Sequence, residues 1–182
     1  MLATVNDLVE VLEELMPSNL AEDWDNVGLM VGRKGKTVKR ILLALDLSKE
    51  VVEQAIAQKI DLIITHHPAI LKKLKQVVDN DRQQDLLLTL MENGIAVYSA
   101  HTNLDCVSTG VNDVLAKLLK LEDADILDDS NGLGRIGVVE QMPLADYAQL
   151  VKTALKADYV VVGDAGKQVH KVAVCGGAGS DL

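Results

Sequence analysis

Three of the chain's four histidines fall in two short pieces, Thr65-His66-His67-Pro68 and His101-Thr102-Asn103-Leu104-Asp105. Imidazole nitrogens and carboxylate oxygens are the ligands that borderline divalent metals take from proteins. Each piece follows an apolar run that reads as a β-strand: Asp61-Leu62-Ile63-Ile64 before the first, Ile95-Ala96-Val97-Tyr98 before the second. Inside a strand, neighbouring side chains point to opposite faces, so two adjacent histidines would rarely serve one site. At a strand end, with Pro68 forcing a turn, His66 and His67 can both lean over the sheet edge and each take one of two ions. A carboxylate such as Asp105 can bridge two metals, which would then clamp and activate a shared water from roughly 3.5–4 Å apart. His101 lies four residues before Asp105. It could ligate, orient a ligand or move protons. A single histidine at a strand end is better read as hydrogen-bonded; the adjacent pair with His101 and Asp105 favours a metal site. His170, beside Lys171 in a polar stretch, reads as a surface residue.

Composition limits what can surround such a site. At 182 residues the chain holds one domain or a little more. Apolar residues make up 48% but aromatics only 2%, with no Phe, so Leu, Val, Ile, Ala and Met must fill the core. That suits helices layered on a parallel sheet. A net charge of −9 and a pI of about 4.8 argue against non-specific nucleic-acid binding, which depends on Lys and Arg. Cys106 and Cys175 are far apart and read as reduced thiols. The first sixteen residues carry acids and no basic residue, unlike a signal peptide, and no apolar run is long enough to span a membrane. A cytoplasmic protein with no membrane association is the expectation.

The elements that must position the histidines follow from periodicity. Thr4 caps a helix with Val5, Leu8, Val9, Leu12 and Leu15 at helical spacing, ended by Pro17. Leu20 to Gly32 reads as an anchored loop in which Trp24 packs and Asp25 and Asn26 make local turn bonds; the competing reading is a polar wall of the pocket. Ile41 to Leu45 reads as a strand buried on both faces, ending in Asp46. A helix capped by Ser48 and the strand Leu62 to Ile64 then complete a βαβ unit, with its polar residues collected at the carboxyl ends of the strands. Ala69 to Val78 is lid-like or weakly helical, and Gln83 to Glu92 is a helix closed by Asn93-Gly94. Thr109 is placed to cap a helix from Gly110 to Leu119.

Beyond this the signals thin. Glu122 to Asn131 is acidic and reads as a connection or sheet-edge crossing. Gly132-Leu133-Gly134-Arg135-Ile136-Gly137 matches GxGxxG, but it leads into a strand, whereas a dinucleotide-binding loop opens a helix. Leu144 to Leu155 reads as a helix, Tyr159 to Val162 and Lys171 to Val174 as strands. Cys175 to Leu182 resembles a glycine-rich strand-to-helix junction cut before its helix. The expected halves are 1–125, carrying the metal motifs, and 126–182, the start of a second α/β half.

Taken together, Trp24-Asp25-Asn26-Val27-Gly28-Leu29-Met30-Val31-Gly32, Ile64-Thr65-His66-His67-Pro68, His101-Thr102-Asn103-Leu104-Asp105 and Gly110-Val111-Asn112 resemble the successive signatures of the Nif-three-like proteins. These proteins are also described as GTP cyclohydrolase I type 2 homologues and dinuclear metal centre proteins. The resemblance implies a three-layer α/β/α fold with a mostly parallel sheet and two similar halves. It implies two divalent ions (Zn, Fe or Mn) and a ring-shaped homohexamer. His66, His67 and Asp105 match its metal ligands, and His101 a catalytic residue beside them. The family's late His and Glu have no counterpart before Leu182, so a partial form lacking the C-terminal part is expected. Two functions compete: a metal-dependent hydrolase of a small molecule, and a metal-stabilised ring that recruits partners without catalysis.

Overall fold

A computed structural model describes residues 2–179; Ser180 and Asp181 of the glycine-rich terminal stretch lie outside them. The chain folds as two compact units, Met1–Leu104 and Asp105–Leu182. The fold is mixed α/β.

The first unit opens with α1 (Val5–Leu15). Thr4 accepts a hydrogen bond from the Asp7 amide while the Asp7 carboxylate accepts from the Thr4 amide, a reciprocal capping box. The sheet contains β1 (Gly28–Val31), β2 (Ile41–Ala44), β3 (Leu62–Thr65) and β4 (Ala96–Ser99), in the order β1-β4-β3-β2. Strands β2, β3 and β4 are parallel, with Ala44, Thr65 and Ser99 side by side in register. Strand β1 is antiparallel to β4 and begins opposite its end, Gly28 against Ser99. The sheet is therefore mixed, not uniformly parallel. Helices α2 (Lys49–Ala57), capped by Ser48, and α3 (Arg82–Glu92), capped by Asp81, pack on one face. There Val52, Ala55, Leu87 and Leu90 meet Ile63 and Val97 in an aliphatic core. Asn93 and Gly94, the latter at φ +64°, end α3 as expected.

Two readings of this unit are corrected. β2 is not buried on both faces: it is an edge strand, and Leu43 is 74% exposed, with Ile41 and Leu45 also in solvent. An apolar run signals burial in the sheet but cannot say which edge the strand occupies. The segment after Pro68 forms no helix, its lysines breaking any continuous apolar stripe. Among the described residues no helix is long and apolar enough to cross a membrane.

The short helix α4 (Thr102–Cys106) follows His101 and spans the boundary of the two units. Then come α5 (Val111–Leu118), β5 (Glu122–Asp128), β6 (Leu133–Pro143), α6 (Leu144–Ala154) and β7 (Gln168–Val174). The three strands form an antiparallel sheet, β5-β6-β7. The acidic stretch expected as a connection is thus the edge strand β5, its acids largely in water. The GxGxxG match runs into β6. Tyr159 to Val162 is not a strand; Tyr159 and Val161 are almost fully exposed. Gly110, not Thr109, is the N-cap of α5. Thr109 instead adopts φ +68°, and its amide donates to the Asp113 carboxylate. Asp113 also pairs with the buried Arg135 guanidinium, which donates to the carbonyls of Gly132 and Gly134.

Gly32 tests how closely β1 must approach β4. It sits at φ +124°, and a Cβ there would lie 2.6 Å from the Ala96 Cβ and 2.9 Å from its Cα. Gly32→Ala combines a φ that L-residues avoid with overpacking against backbone. It is expected to cost more than about 2 kcal/mol, read as a lower urea midpoint at unchanged slope.

Candidate metal centre

The parallel register delivers three strand ends to one edge, and Asp46, His66-His67 and His101 follow them directly. Beneath them the hydroxyls of Thr65 and Ser99 hydrogen-bond to each other at 2.8 Å in a buried position. Ser99 also accepts from the Ala69 amide, which pins the turn after Pro68. Asn103, fully buried, accepts from the His101 amide through its side-chain oxygen and donates to the Met16 carbonyl. Side chains thereby fix the first histidine-bearing turn to the sheet and the second to the end of α1.

The three imidazoles meet. Their ring centroids are 5.2 Å (His66–His67), 5.3 Å (His66–His101) and 5.7 Å (His67–His101) apart. One ring nitrogen from each lies within 4.8 Å of the others. In every case Nδ1 is engaged by an oxygen: His66 by the Ala100 carbonyl at 2.9 Å, His67 by Asp46 Oδ1 at 2.7 Å and His101 by Asp25 Oδ1 at 2.9 Å. A carbonyl can only accept, so the proton of neutral His66 sits on Nδ1 and the lone pair on Nε2. Ionised carboxylates impose the same tautomer on His67 and His101. Oxygen acceptors behind the ring are how metal-binding imidazoles are oriented and made more basic. The donor set and its supports therefore fit a borderline divalent cation.

The two carboxylates differ in environment. The Asp25 side chain is fully shielded. It accepts from the Asn26 amide at 2.7 Å, the Thr102 amide at 3.1 Å and the Thr102 hydroxyl at 2.5 Å, besides His101. Burial pushes its carboxyl up, but the hydrogen bonds from Thr102, His101 and Asn26 outweigh burial and hold it below the usual carboxylate range. Asp46 is mostly exposed. On that side His67 lines a cavity of about 410 Å³ with Asp46, Ser48, Pro68, Arg82 and Gln83.

Of the residues singled out in the sequence, His66, His67 and His101 come together in the first unit. Asp105 is buried on α4 as the first residue of the second unit. His170 is exposed on β7, its Nδ1 2.7 Å from the Val139 carbonyl. Asp25 makes the local bond to Asn26 that the loop reading expected, and it also buttresses His101. Asp46 was visible only as a strand terminator. Trp24 does not pack: it is 61% exposed, with its ring 5.9 Å from that of His101 and nearly perpendicular to it.

The chain is similar to known proteins along its length. The family model described as Duf34/NIF3 (NGG1p interacting factor 3) matches residues 3–182. A Clostridium acetobutylicum protein named GTP cyclohydrolase 1 type 2 homolog is 38% identical over 98% of this chain and 69% of its own length. The crystal structure of Staphylococcus aureus hypothetical protein SA1388 superposes with a TM-score of 0.91 at 29% identity, covering 100% of this chain and 74% of that one. Reduced HcgD from Methanocaldococcus jannaschii gives 0.75 at 36% identity, over 82% of this chain and 59% of its own.

The contrast between the carboxylates is measurable. Asp25→Ala strands buried donors on His101 and Thr102 and is expected to cost about 1–3 kcal/mol in chemical unfolding of the metal-free protein. Asp46→Ala, at an exposed pair, should cost less than about 1 kcal/mol. Equal losses would show that Asp25 does not hold the turn.

Proposed function

The chain belongs to the Duf34/NIF3 family, and on that premise we propose that it is a divalent-metal-dependent hydrolase centred on His66, His67 and His101. One observation carries the reading: three imidazoles, each with Nδ1 held by an oxygen, bring one ring nitrogen apiece within 4.8 Å of the others. Three protein ligands with a position left open is the arrangement of catalytic rather than structural sites. A bound divalent ion would supply Lewis-acid polarisation of the substrate and a water acidified enough to attack near neutral pH.

The chain's own residues do the rest. His66 and His67 bind the ion through Nε2, with the Ala100 carbonyl and Asp46 fixing their orientation. His101 closes the set as a third ligand. With His66 and His67 alone holding the ion, His101 would instead accept a proton at Nε2 while Asp25 holds the proton on Nδ1. The cavity beside His67 gives a small organic substrate room. Attack of water on a purine ring carbon, the reaction implied by the relatives' name, is chemistry of this kind.

Elemental analysis tests the centre. The wild-type chain should carry one to two divalent ions per subunit, and His66→Ala/His67→Ala close to none, each folded by circular dichroism. Equal metal in both would end the proposal. His101→Ala separates its two roles: lost metal marks a ligand, whereas retained metal with lost turnover marks a proton carrier.

A second reading, a self-associating protein, is favoured by the exposed apolar side chains of Ile41 and Leu43 on edge strand β2 and of Leu45 just after it. An open edge with an apolar face is a ready surface for another copy. Leu43→Glu/Leu45→Glu should lower the mass measured by light scattering to that of smaller species; a mass unchanged from wild type would remove this support.

A further inference from the structure

Trp24 is the chain's only tryptophan, and it is not used for packing. Large aromatic side chains stabilise folds by burial, so an indole left 61% exposed contributes little to this one. Yet its backbone is tightly held. The Asp25 amide donates to the Glu22 carbonyl at 2.9 Å, closing a turn with Trp24 at its tip. The Glu22 amide donates to the Thr102 hydroxyl at 3.0 Å, and that hydroxyl donates onward to Asp25. The turn is thus fastened on both sides of Trp24 to the segment that carries His101. What the fastening achieves is placement: a solvent-facing indole with its ring centroid 5.9 Å from His101, beside the converging imidazoles.

We propose that Trp24 is a stacking platform that holds a planar heteroaromatic ring of the ligand against the histidine cluster. The inference rests on the reading of that cluster as the reactive centre. Indole faces attract flat π-systems through dispersion and the ring quadrupole, and stacking tolerates variation in ring substituents. The pairing supplies what the imidazoles lack, a broad aromatic face on which a flat ring can stack. A purine nucleoside is the natural probe, because it carries such a ring without a phosphate to bind elsewhere.

The single tryptophan makes the test direct. Guanosine added to the wild-type chain, as purified and again after chelation, should quench Trp24 fluorescence saturably, and ribose should not. By calorimetry Trp24→Ala should bind guanosine at least about tenfold more weakly, while Trp24→Phe stays within about threefold of wild type. Metal content of both variants should match wild type, since neither removes a ligand. Equal guanosine affinity in wild type and Trp24→Ala, or quenching by ribose as strong as by guanosine, would overturn the proposal. So would a Trp24→Ala chain that changes assembly state but not guanosine affinity. Failure of the metal reading shows separately, as wild-type metal content in His66→Ala/His67→Ala.

Discussion

The site depends on one constraint, the register of three parallel strands. Because Ala44, Thr65 and Ser99 lie abreast, everything that follows them in sequence emerges at the same edge. A slip of one residue would turn each alternate side chain to the other face and scatter the groups. The register is held from below by Ile63 and Val97 in the aliphatic core and at its end by the buried Thr65–Ser99 hydroxyl pair. That pair matters because the two hydroxyls satisfy each other and the Ala69 amide, which lets a polar rim rest directly on an apolar core at this point.

Parallel strands alone would leave the histidines without their deepest support. Asp25 arrives from the opposite direction, in the loop that feeds β1, and β1 is antiparallel. An antiparallel strand enters the sheet at the edge where its parallel neighbours leave it. Gly28 opposite Ser99 places the preceding residues, Trp24 and Asp25, over the ends of β3 and β4. The mixed character of the sheet is therefore a working part of the site. Gly32, pressed against Ala96 where no side chain fits, is a steric consequence of that same insertion.

This explains which parts were legible in the sequence. The helix ends at Thr4, Ser48 and Gly94 were, because these act on backbone groups only a few residues away, whereas the cap expected at Thr109 falls on Gly110. The strands leading to the histidines were, since each is an apolar run ending in polar residues. β1 was not: four residues that open on Gly28 and stop before Gly32 carry too little pattern to be told from a loop. Its omission hid the role of Asp25, whose partners are 76 and 77 residues away. Nor does local pattern distinguish a tryptophan that packs from one that is displayed. Edge position was invisible for β2 for the same reason, as exposure of Leu43 is decided by which strand fails to pair beside it. Of the site, the histidines were legible from residue type and spacing; the groups that aim them were not, because aiming is a long-range relation.

The distribution of polar support around the histidines bears on how the centre would work. His66 is backed by a backbone carbonyl, His67 by an exposed carboxylate and His101 by a shielded one. A neutral carbonyl orients without adding charge, whereas a carboxylate raises the basicity of the ring it backs. Shielding from water strengthens that influence. His101 is therefore the imidazole whose electronic character the fold determines most firmly, and its ring is also the one that Trp24 touches. The fold thus concentrates its buried polar and aromatic control on a single histidine, whereas His66 and His67 are oriented by a backbone carbonyl and an exposed carboxylate. That asymmetry fits the proposal that His101, alone of the three, can serve either as a ligand or as a proton carrier.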